Sequence, residues 1–263
     1  MNRTLSVAKK MLTVTAVDTN RPYGVANPPF AVTYSGFVPG DTEAVLDTPP
    51  TVTSATTSTS SAGIYTGDLV AAGASDDNYD FSYVRGTLSV VAAPQAIGFA
   101  ALAPRIYGDP DFTLSALAGS GLPVSFTSAN TNVAVVSGST VTIRGAGTAQ
   151  IVASQDGGSG YAAATPVTNS LTVSTASLPT VAWTPPASLV YDGTPKSYTA
   201  TASGVTGFSY LYNGKSPTVY SSPNAPANVG NYTVTATSTD PNFTGSQSLD
   251  FSILQATPAI TRA

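Results

Sequence analysis

Cysteine and histidine are both missing from these 263 residues. Without cysteine the chain has no disulfide framework and no thiolate zinc site. Without histidine it has no side chain that ordinarily titrates near neutrality, and most plans for general-base catalysis go with it. Charge is scarce too. Asp, Glu, Lys and Arg together make 9 % of the residues, against roughly 25 % in ordinary soluble domains, so uncharged Thr, Ser, Asn and Gly must cover the surface. Ten basic against fourteen acidic residues leave a net charge of −4, with Lys and Arg nowhere clustered. That excludes a nucleic-acid partner, which needs a basic face. No apolar run reaches the roughly 18 residues of a membrane span, and the N-terminus lacks the apolar core and cleavage site of a signal peptide. If the protein is exported, its signal is expected outside this sequence.

What the chain does have is a long period. Gly230-Asn231-Tyr232-Thr233-Val234-Thr235-Ala236, then Asn242-Phe243, then Leu249-Asp250-Phe251-Ser252-Ile253 is the clearest copy. Weaker copies are Gly63-Ile64-Tyr65, Asn78-Tyr79 and Thr87-Leu88-Ser89-Val90, and Gly147-Thr148-Ala149, Gly160-Tyr161 and Leu171-Thr172-Val173. Gly63 and Gly147 lie 84 positions apart, and Gly147 and Gly230 lie 83 apart. Tyr23, Tyr107 and Tyr191 recur at intervals of 84 and 84, each with glycine one or two residues later at Gly24, Gly108 and Gly193. A period of this length exceeds that of solenoid repeats and suits a small self-contained domain. The expected division is a closing strand of a preceding repeat at 1–10, repeats at 11–92, 93–175 and 176–255, and the start of a further linker or repeat at 256–263. Thr4-Leu5-Ser6-Val7 echoes Thr87-Leu88-Ser89-Val90, and Ala256-Thr257-Pro258-Ala259-Ile260 echoes Ala93-Pro94-Gln95-Ala96-Ile97.

Apolar residues alternate with a period of two, as half-buried strands require. Leu12, Val14 and Ala16 do so, as do Phe30, Val32 and Tyr34, then Tyr232, Val234 and Ala236, and finally Leu249, Phe251 and Ile253. In the middle repeat, strands are predicted over Phe112–Leu117, Pro123–Thr127, Val133–Val136, Thr140–Ile143, Thr148–Ala153 and Val167–Val173. Asn213-Gly214 predicts a hairpin turn, since both residues tolerate positive φ. The one plausible helical turn is 40–46, capped by Asp41 or Thr42 and stopped by Pro49-Pro50. Thr51–Ser61 reads as a strand and a loop. No stretch sustains a helical apolar period, so the chain is all-β: three tandem small β-domains, either Ig-like sandwiches or β-grasp-like sheets, arranged as an elongated rod.

No catalytic, cofactor-binding or metal-ligating residue is assigned. Asp76-Asp77-Asn78-Tyr79-Asp80 has the oxygen ligands of a calcium loop, but its spacing is not that of an EF-hand, and Gly158-Ser159-Gly160 and Thr239-Asp240-Pro241 do not repeat the acids. A solvated turn is the plainer reading, as it is for Asp109 and Asp111. Phe208, Tyr210 and Tyr212, with Tyr220 opposite, form either a sugar-stacking row or, more simply, the core face of a small sheet. Trp183 reads as a plug at a domain junction. Tyr23, Tyr107 and Tyr191 read as structural, each ring packed over the core end with its hydroxyl tied to backbone. Only Lys9, Lys10, Lys196 and Lys215 are available to activate a hydroxyl, and none sits in a Ser-x-x-Lys pattern. With the single Glu43 as assisting acid, an intramolecular isopeptide bond has few candidates.

Arg21-Pro22-Tyr23-Gly24-Val25-Ala26-Asn27-Pro28, Tyr34-Ser35-Gly36-Phe37-Val38-Pro39-Gly40-Asp41-Thr42 and the closing Asn78-Tyr79 to Gly86-Thr87-Leu88-Ser89-Val90 resemble the bacterial MBG domain of the Tyr-Gly type. The match departs at Val25, where Asp is more usual. Val190-Tyr191-Asp192-Gly193-Thr194-Pro195 with Gly230-Asn231-Tyr232-Thr233-Val234 resembles a sister MBG class. Ser128 to Val136 with Gly145-Ala146-Gly147-Thr148-Ala149 is similar to bacterial Ig-like group 2 repeats. Such domains occur as repeats in large secreted and surface-attached proteins, adhesins among them. The resemblance therefore implies an extracellular or cell-surface location and a spacer role in a stalk, with neighbouring repeats as partners. The short, Pro-restricted linkers Ala92-Ala93-Pro94 and Thr175 to Pro179 fit a stiff array. Two other roles are open on the sequence: a fibre built when Arg3 to Val7 adds to the sheet of another copy, and a glycan-binding third repeat.

Overall fold

The structure, a computed structural model, describes residues 7–257. Thr4 to Ser6 and Pro258 onward, on which the two terminal echoes partly rest, lie outside the described residues, as does most of the segment proposed for strand addition. The described chain is all-β, with one turn of 3-10 helix at Glu43–Val45. There Thr42 Oγ1 accepts from the Ala44 amide at 3.4 Å, which makes Thr42 the cap. Asp41, the other predicted cap, instead accepts the Tyr79 hydroxyl at 2.7 Å. Contacts gather the described residues into two compact units. One comprises 7–98, 116–124 and 154–166; the other comprises 99–115, 125–153 and 167–257. The stretch 93–175 thus contributes to both.

In the first unit two sheets face each other. One has Val32–Ser35, Lys10–Ala16 and Tyr79–Val84 in that spatial order, and the other has Thr19–Pro22, Gly86–Val91, Gly63–Ala72 and Thr51–Thr53. The alternation expected of Leu12, Val14 and Ala16 puts all three in the interior. Val14 and Ala16 there meet Leu69, Ala71 and Leu88 of the opposite sheet, and each fully buried Leu or Val contributes about 1.5–3 kcal/mol. The chain crosses between sheets within two residues of Ala16. Asp18 holds the crossing by accepting the Thr87 amide at 2.6 Å. Neighbouring Gly86 has no space for a side chain, since a Cβ would lie 2.5 Å from the Ala16 carbonyl oxygen.

Two large hydrophobic centres lie in the second unit, beside a smaller cluster of Val181, Ala200 and Ala236. Leu114, Val133, Ala134, Val141, Ala149, Ile151, Leu171 and Val173 form one. They come from, or in the case of Leu114 and Val133 flank, the sheet Phe112–Thr113, Thr140–Ile143, Ala134–Ser137 and the sheet Ser125–Ser128, Gly147–Ser154, Val167–Ser174, Arg105–Ile106. The predicted single strand over 112–117 is in fact two, Phe112–Thr113 and Ala116–Ala118. Leu114 interrupts it because its side chain is drawn into the core while its amide bonds the Ser139 carbonyl at 2.8 Å. The other centre belongs to Ser221–Ser222, Phe208–Lys215, Gly230–Ser238 and Ser246–Ile253, paired in that order. Here the predicted hairpin turn at Asn213-Gly214 gives way to continuous strand: Asn213 pairs with Thr233 and Gly214 with Tyr232. The chain reverses later, where the Thr218 amide bonds the Lys215 carbonyl at 2.8 Å. Gly214 answers to crowding instead of curvature, since a Cβ there would lie 2.5 Å from the Thr218 carbonyl oxygen.

Candidate functional site

The three tyrosines that set the period occupy one structural position. In the first repeat Thr19–Pro22 runs parallel to Gly86–Val91, and the Tyr23 amide closes the ladder on the Val91 carbonyl at 2.8 Å. In the second, Arg105–Ile106 runs parallel to Val167–Ser174, and the Tyr107 amide bonds Ser174 at 2.9 Å. In the third, Val190 bridges Leu254 in parallel and the Tyr191 amide bonds Leu254 at 2.8 Å. The tie to backbone expected of these residues is therefore made by the amide. The following glycines have φ of +82° at Gly24, +91° at Gly108 and +80° at Gly193. Gly24 and Gly108 stand third in four-residue turns closed by Val25 to Pro22 and Asp109 to Ile106, where a left-handed residue is required. In the third repeat one extra residue, Asp192, intervenes, and its Oδ1 accepts the Thr194 amide at 2.9 Å.

Two residues beyond the first two of these ladder carbonyls lies a second recurring contact. After Val91, the Ala93 amide bonds the Gly160 carbonyl at 2.8 Å; after Ser174, the Ala176 amide bonds the Asn242 carbonyl at 2.9 Å. The ring next in sequence then meets the tyrosine of the preceding repeat: Tyr161 against Tyr23 at 5.3 Å and 67°, and Phe243 against Tyr107 at 5.4 Å and 83°. Both are edge-to-face pairs, the arrangement that ring quadrupoles favour. The first joint lies wholly in one compact unit and the second wholly in the other. In the first the Tyr23 ring lies so close over Gly160 that a Cβ would fall 2.2 Å from its Cδ2. In the second, Asn242 Oδ1 accepts the Ala146 amide at 2.8 Å. The sequence exposed the spacing of these rings but not their pairing, because the partners stand more than a hundred residues apart.

The remaining candidates serve the fold. Asp76 Oδ1 accepts the amides of Asn78 at 2.7 Å and Tyr79 at 3.1 Å, and Asp240 Oδ1 accepts the Asn242 amide at 2.9 Å in the same way. The two acids thus share one task, fixing the turn before the closing ring, which the expected lack of repetition at Thr239-Asp240-Pro241 had missed. Among the described residues no three acids gather into a metal-sized group. Tyr212 is buried, and its hydroxyl accepts the Tyr198 amide at 3.1 Å, while the Tyr210 hydroxyl accepts the Ala200 amide at 2.8 Å. Tyr220 packs edge-on against Tyr232, and Phe208 against the cluster of Val181, Ala200 and Ala236. The aromatic row is therefore core. Trp183, read as a junction plug, lies on a strand of the third repeat with its ring against Tyr198 at 6.4 Å. Asp109 Oδ2 accepts the Ile106 amide at 3.0 Å, and Asp111 the Thr142 hydroxyl at 2.9 Å.

Two cations lie where the sequence gave no warning. Arg21 is 2 % exposed, its guanidinium bonded to Asn27 Oδ1 at 2.6 Å, to the Pro22 carbonyl at 3.1 Å and to the Thr57 carbonyl. Lys196 is 3 % exposed and meets Asp192 Oδ2 at 2.7 Å. That ammonium, with the Thr194 hydroxyl and amide, holds the Asp192 carboxyl well below the usual range. Lys9 donates to the Asp76 carbonyl at 2.8 Å, and Lys215 pairs with Asp250 at 2.5 Å. Glu43 stands on the 3-10 turn; burial first, and then its charge, push the Tyr34 hydroxyl above its ordinary value. A cleft of about 280 Å³ lies over the Lys215 and Asp250 pair, lined also by Asn231 and Ser252. The pair neutralises itself there, so the cleft presents no converging acids.

The described chain is thus all-β, with a tyrosine turn that recurs three times, each time closing a parallel pairing onto a later segment. Residues 12–89 match the family MBG domain (YGX type), and residues 186–257 match the family MBG domain. The chain belongs to the MBG-domain proteins through these two stretches. A search of curated proteins finds no match. The MBG families are non-catalytic repeat domains typical of large surface proteins.

Proposed function

We propose that this chain is a load-bearing spacer, part of the stalk of a large secreted or surface-attached adhesin-like protein, with three β-domains at 11–92, 93–175 and 176–255. In this reading the middle domain is of the bacterial Ig-like group 2 kind. One observation carries it. In each of the three repeats the segment just before the tyrosine runs parallel to the closing segment, Thr19–Pro22 on Gly86–Val91, Arg105–Ile106 on Val167–Ser174 and, as a single bridge, Val190 on Leu254, and the tyrosine amide ends that pairing. A pull applied between the two ends of such a domain slides these strands along each other. All the ladder bonds are then loaded together, whereas an antiparallel pair pulled from one end opens one bond at a time. The joints support the same reading, since each linker is itself hydrogen-bonded to the next repeat and little chain is left to pay out before the domains bear load.

Single-molecule stretching of the full chain from end to end tests the proposal. The expected trace has three separate rupture events, each releasing roughly 240 Å, the length of about 80 extended residues less the folded span. Extension at forces indistinguishable from those of an unfolded chain refutes it.

A further inference from the structure

The joint closed at Tyr23 and again at Tyr107 has a third copy of its receiving half. We infer that the turn at Tyr191, with Leu254 and Ala256, is a docking surface for the closing loop of a further domain of this kind joined through Ala256. Three observations converge. The receiving residues recur in register: the Tyr191 amide on Leu254 stands where Tyr23 bonds Val91 and Tyr107 bonds Ser174, and Ala256 lies two residues past Leu254 as Ala93 and Ala176 lie past their carbonyls. In both closed joints that alanine amide is bonded to the residue before the incoming ring. Tyr191 is 43 % exposed, whereas Tyr23 and Tyr107 are half-buried beneath their ring partners.

The surface has the chemistry of the occupant. Val190 and Leu254 are exposed beside Tyr191 and give it an apolar flank, and the Ala256 amide supplies the donor that the loop carbonyl takes in the closed joints. The loop it fits is therefore a small or amide residue followed by an aromatic ring, as in Gly160-Tyr161 and Asn242-Phe243. Asp192 shifts the glycine of this turn by one place and leaves the Tyr191 amide on Leu254 as in the other two repeats. The inference concerns domain docking and stands whether or not the chain bears load.

The test extends the full chain after Ala256 with a second copy of residues 177–257, and uses amide exchange as its readout. In the present chain the hydrogen-bonded Ala93 and Ala176 amides are expected to exchange slowly and serve as the reference. The Ala256 amide is expected to slow by at least about tenfold on extension, and Tyr191→Ala in the extended chain is expected to restore fast exchange. Exchange at Ala256 that extension leaves unchanged overturns the proposal, as does slowing that survives Tyr191→Ala. If the added copy fails to fold, judged by a circular dichroism signal that does not rise in proportion to the added length, a copy of residues 94–175 replaces it under the same criteria. A dimer of the present chain that Tyr191→Ala dissolves would make a second molecule the occupant and would also overturn the proposal. Three rupture events in the present chain with no protection at Ala256 would leave the spacer reading standing and remove this one alone.

Discussion

The two MBG domains hide a cation beside the same tyrosine turn and satisfy it in different ways. In the first, Arg21 precedes Tyr23 and is wrapped by neutral oxygens from Asn27, Pro22 and Thr57. Asn27 is itself fixed by donating to the Thr56 carbonyl at 2.7 Å, and Thr56 is held by Asp68 at 2.6 Å. In the second, Lys196 follows Tyr191 and reaches a full carboxylate four residues back. The difference follows from one residue. Asp192, which displaces the glycine of the turn, is also the counter-ion, so the second domain needs no long loop to supply oxygens. The first domain gives part of its 51–61 run that task, which helps order a polar Thr/Ser stretch: the Thr57 carbonyl accepts from the buried guanidinium and the Thr56 carbonyl from its partner Asn27.

The comparison can be broken most severely at Arg21. Arg21→Ala strands Asn27 and the Thr57 carbonyl without a donor, and is expected to lower the stability of the first domain by about 3 kcal/mol. Trp183 is the chain's one tryptophan and lies in the third repeat, so the loss should appear in the circular dichroism transition and not in the fluorescence one. Gly160→Ala comes next, at about 1–3 kcal/mol, because the new Cβ would overlap the Tyr23 ring and φ there is +98°. Adding Tyr23→Ala removes the overlap and should recover part of the loss in a urea titration; no recovery would mean that the backbone alone is responsible. Lys196→Met keeps the buried stem and leaves Asp192, half exposed, to water. Its shift of the fluorescence midpoint should fall well short of the effect of Arg21→Ala.

The smallest effect is the response to acid, and it sharpens the contrast. The carboxyls of Asp192, Asp240 and Asp250 are held low by hydrogen bonds, foremost from Lys196, from the Asn242 amide and from Lys215 respectively. A carboxyl lowered by folding stabilises the fold above its unfolded value, about 3.9, and that contribution is lost as pH falls through the lower folded value. Stability should be flat from about pH 8 to about pH 5 and decline below about pH 4. In the first domain Asp68 is also lowered: burial pushes it up, but bonds from Ser54, Thr56 and Ala55 outweigh this. With three such groups against one, the fluorescence transition should be the more acid-sensitive of the two.

Much of this was legible beforehand, and the misses share a cause. Period-two alternation placed Leu12, Val14, Ala16, Tyr232, Val234 and Ala236 correctly because a strand with one buried face has no other register. Thr42 was readable as a cap because its hydroxyl acts within two residues. Asn213-Gly214 misled because a glycine needed for close approach looks the same in sequence as one needed for a turn. Arg21 and Lys196 were invisible because charged residues are almost always exposed, and only a partner distant in the chain or an inserted acid makes an exception. Asp240 was passed over because one acid in a turn carries no weight until its amide partners are placed.

By itself the sequence determined the repeat length, the all-β class and the inward face of the main strands, since these depend on spacing along one chain and on the two-residue period of extended backbone. Tertiary structure decided which segment before each tyrosine lies parallel to which closing segment, that Tyr161 and Phe243 seat on the tyrosines of preceding repeats, and how two buried cations are met. Those outcomes depend on distances between residues far apart in sequence, and hydrogen bonds and ring contacts act over only a few ångströms.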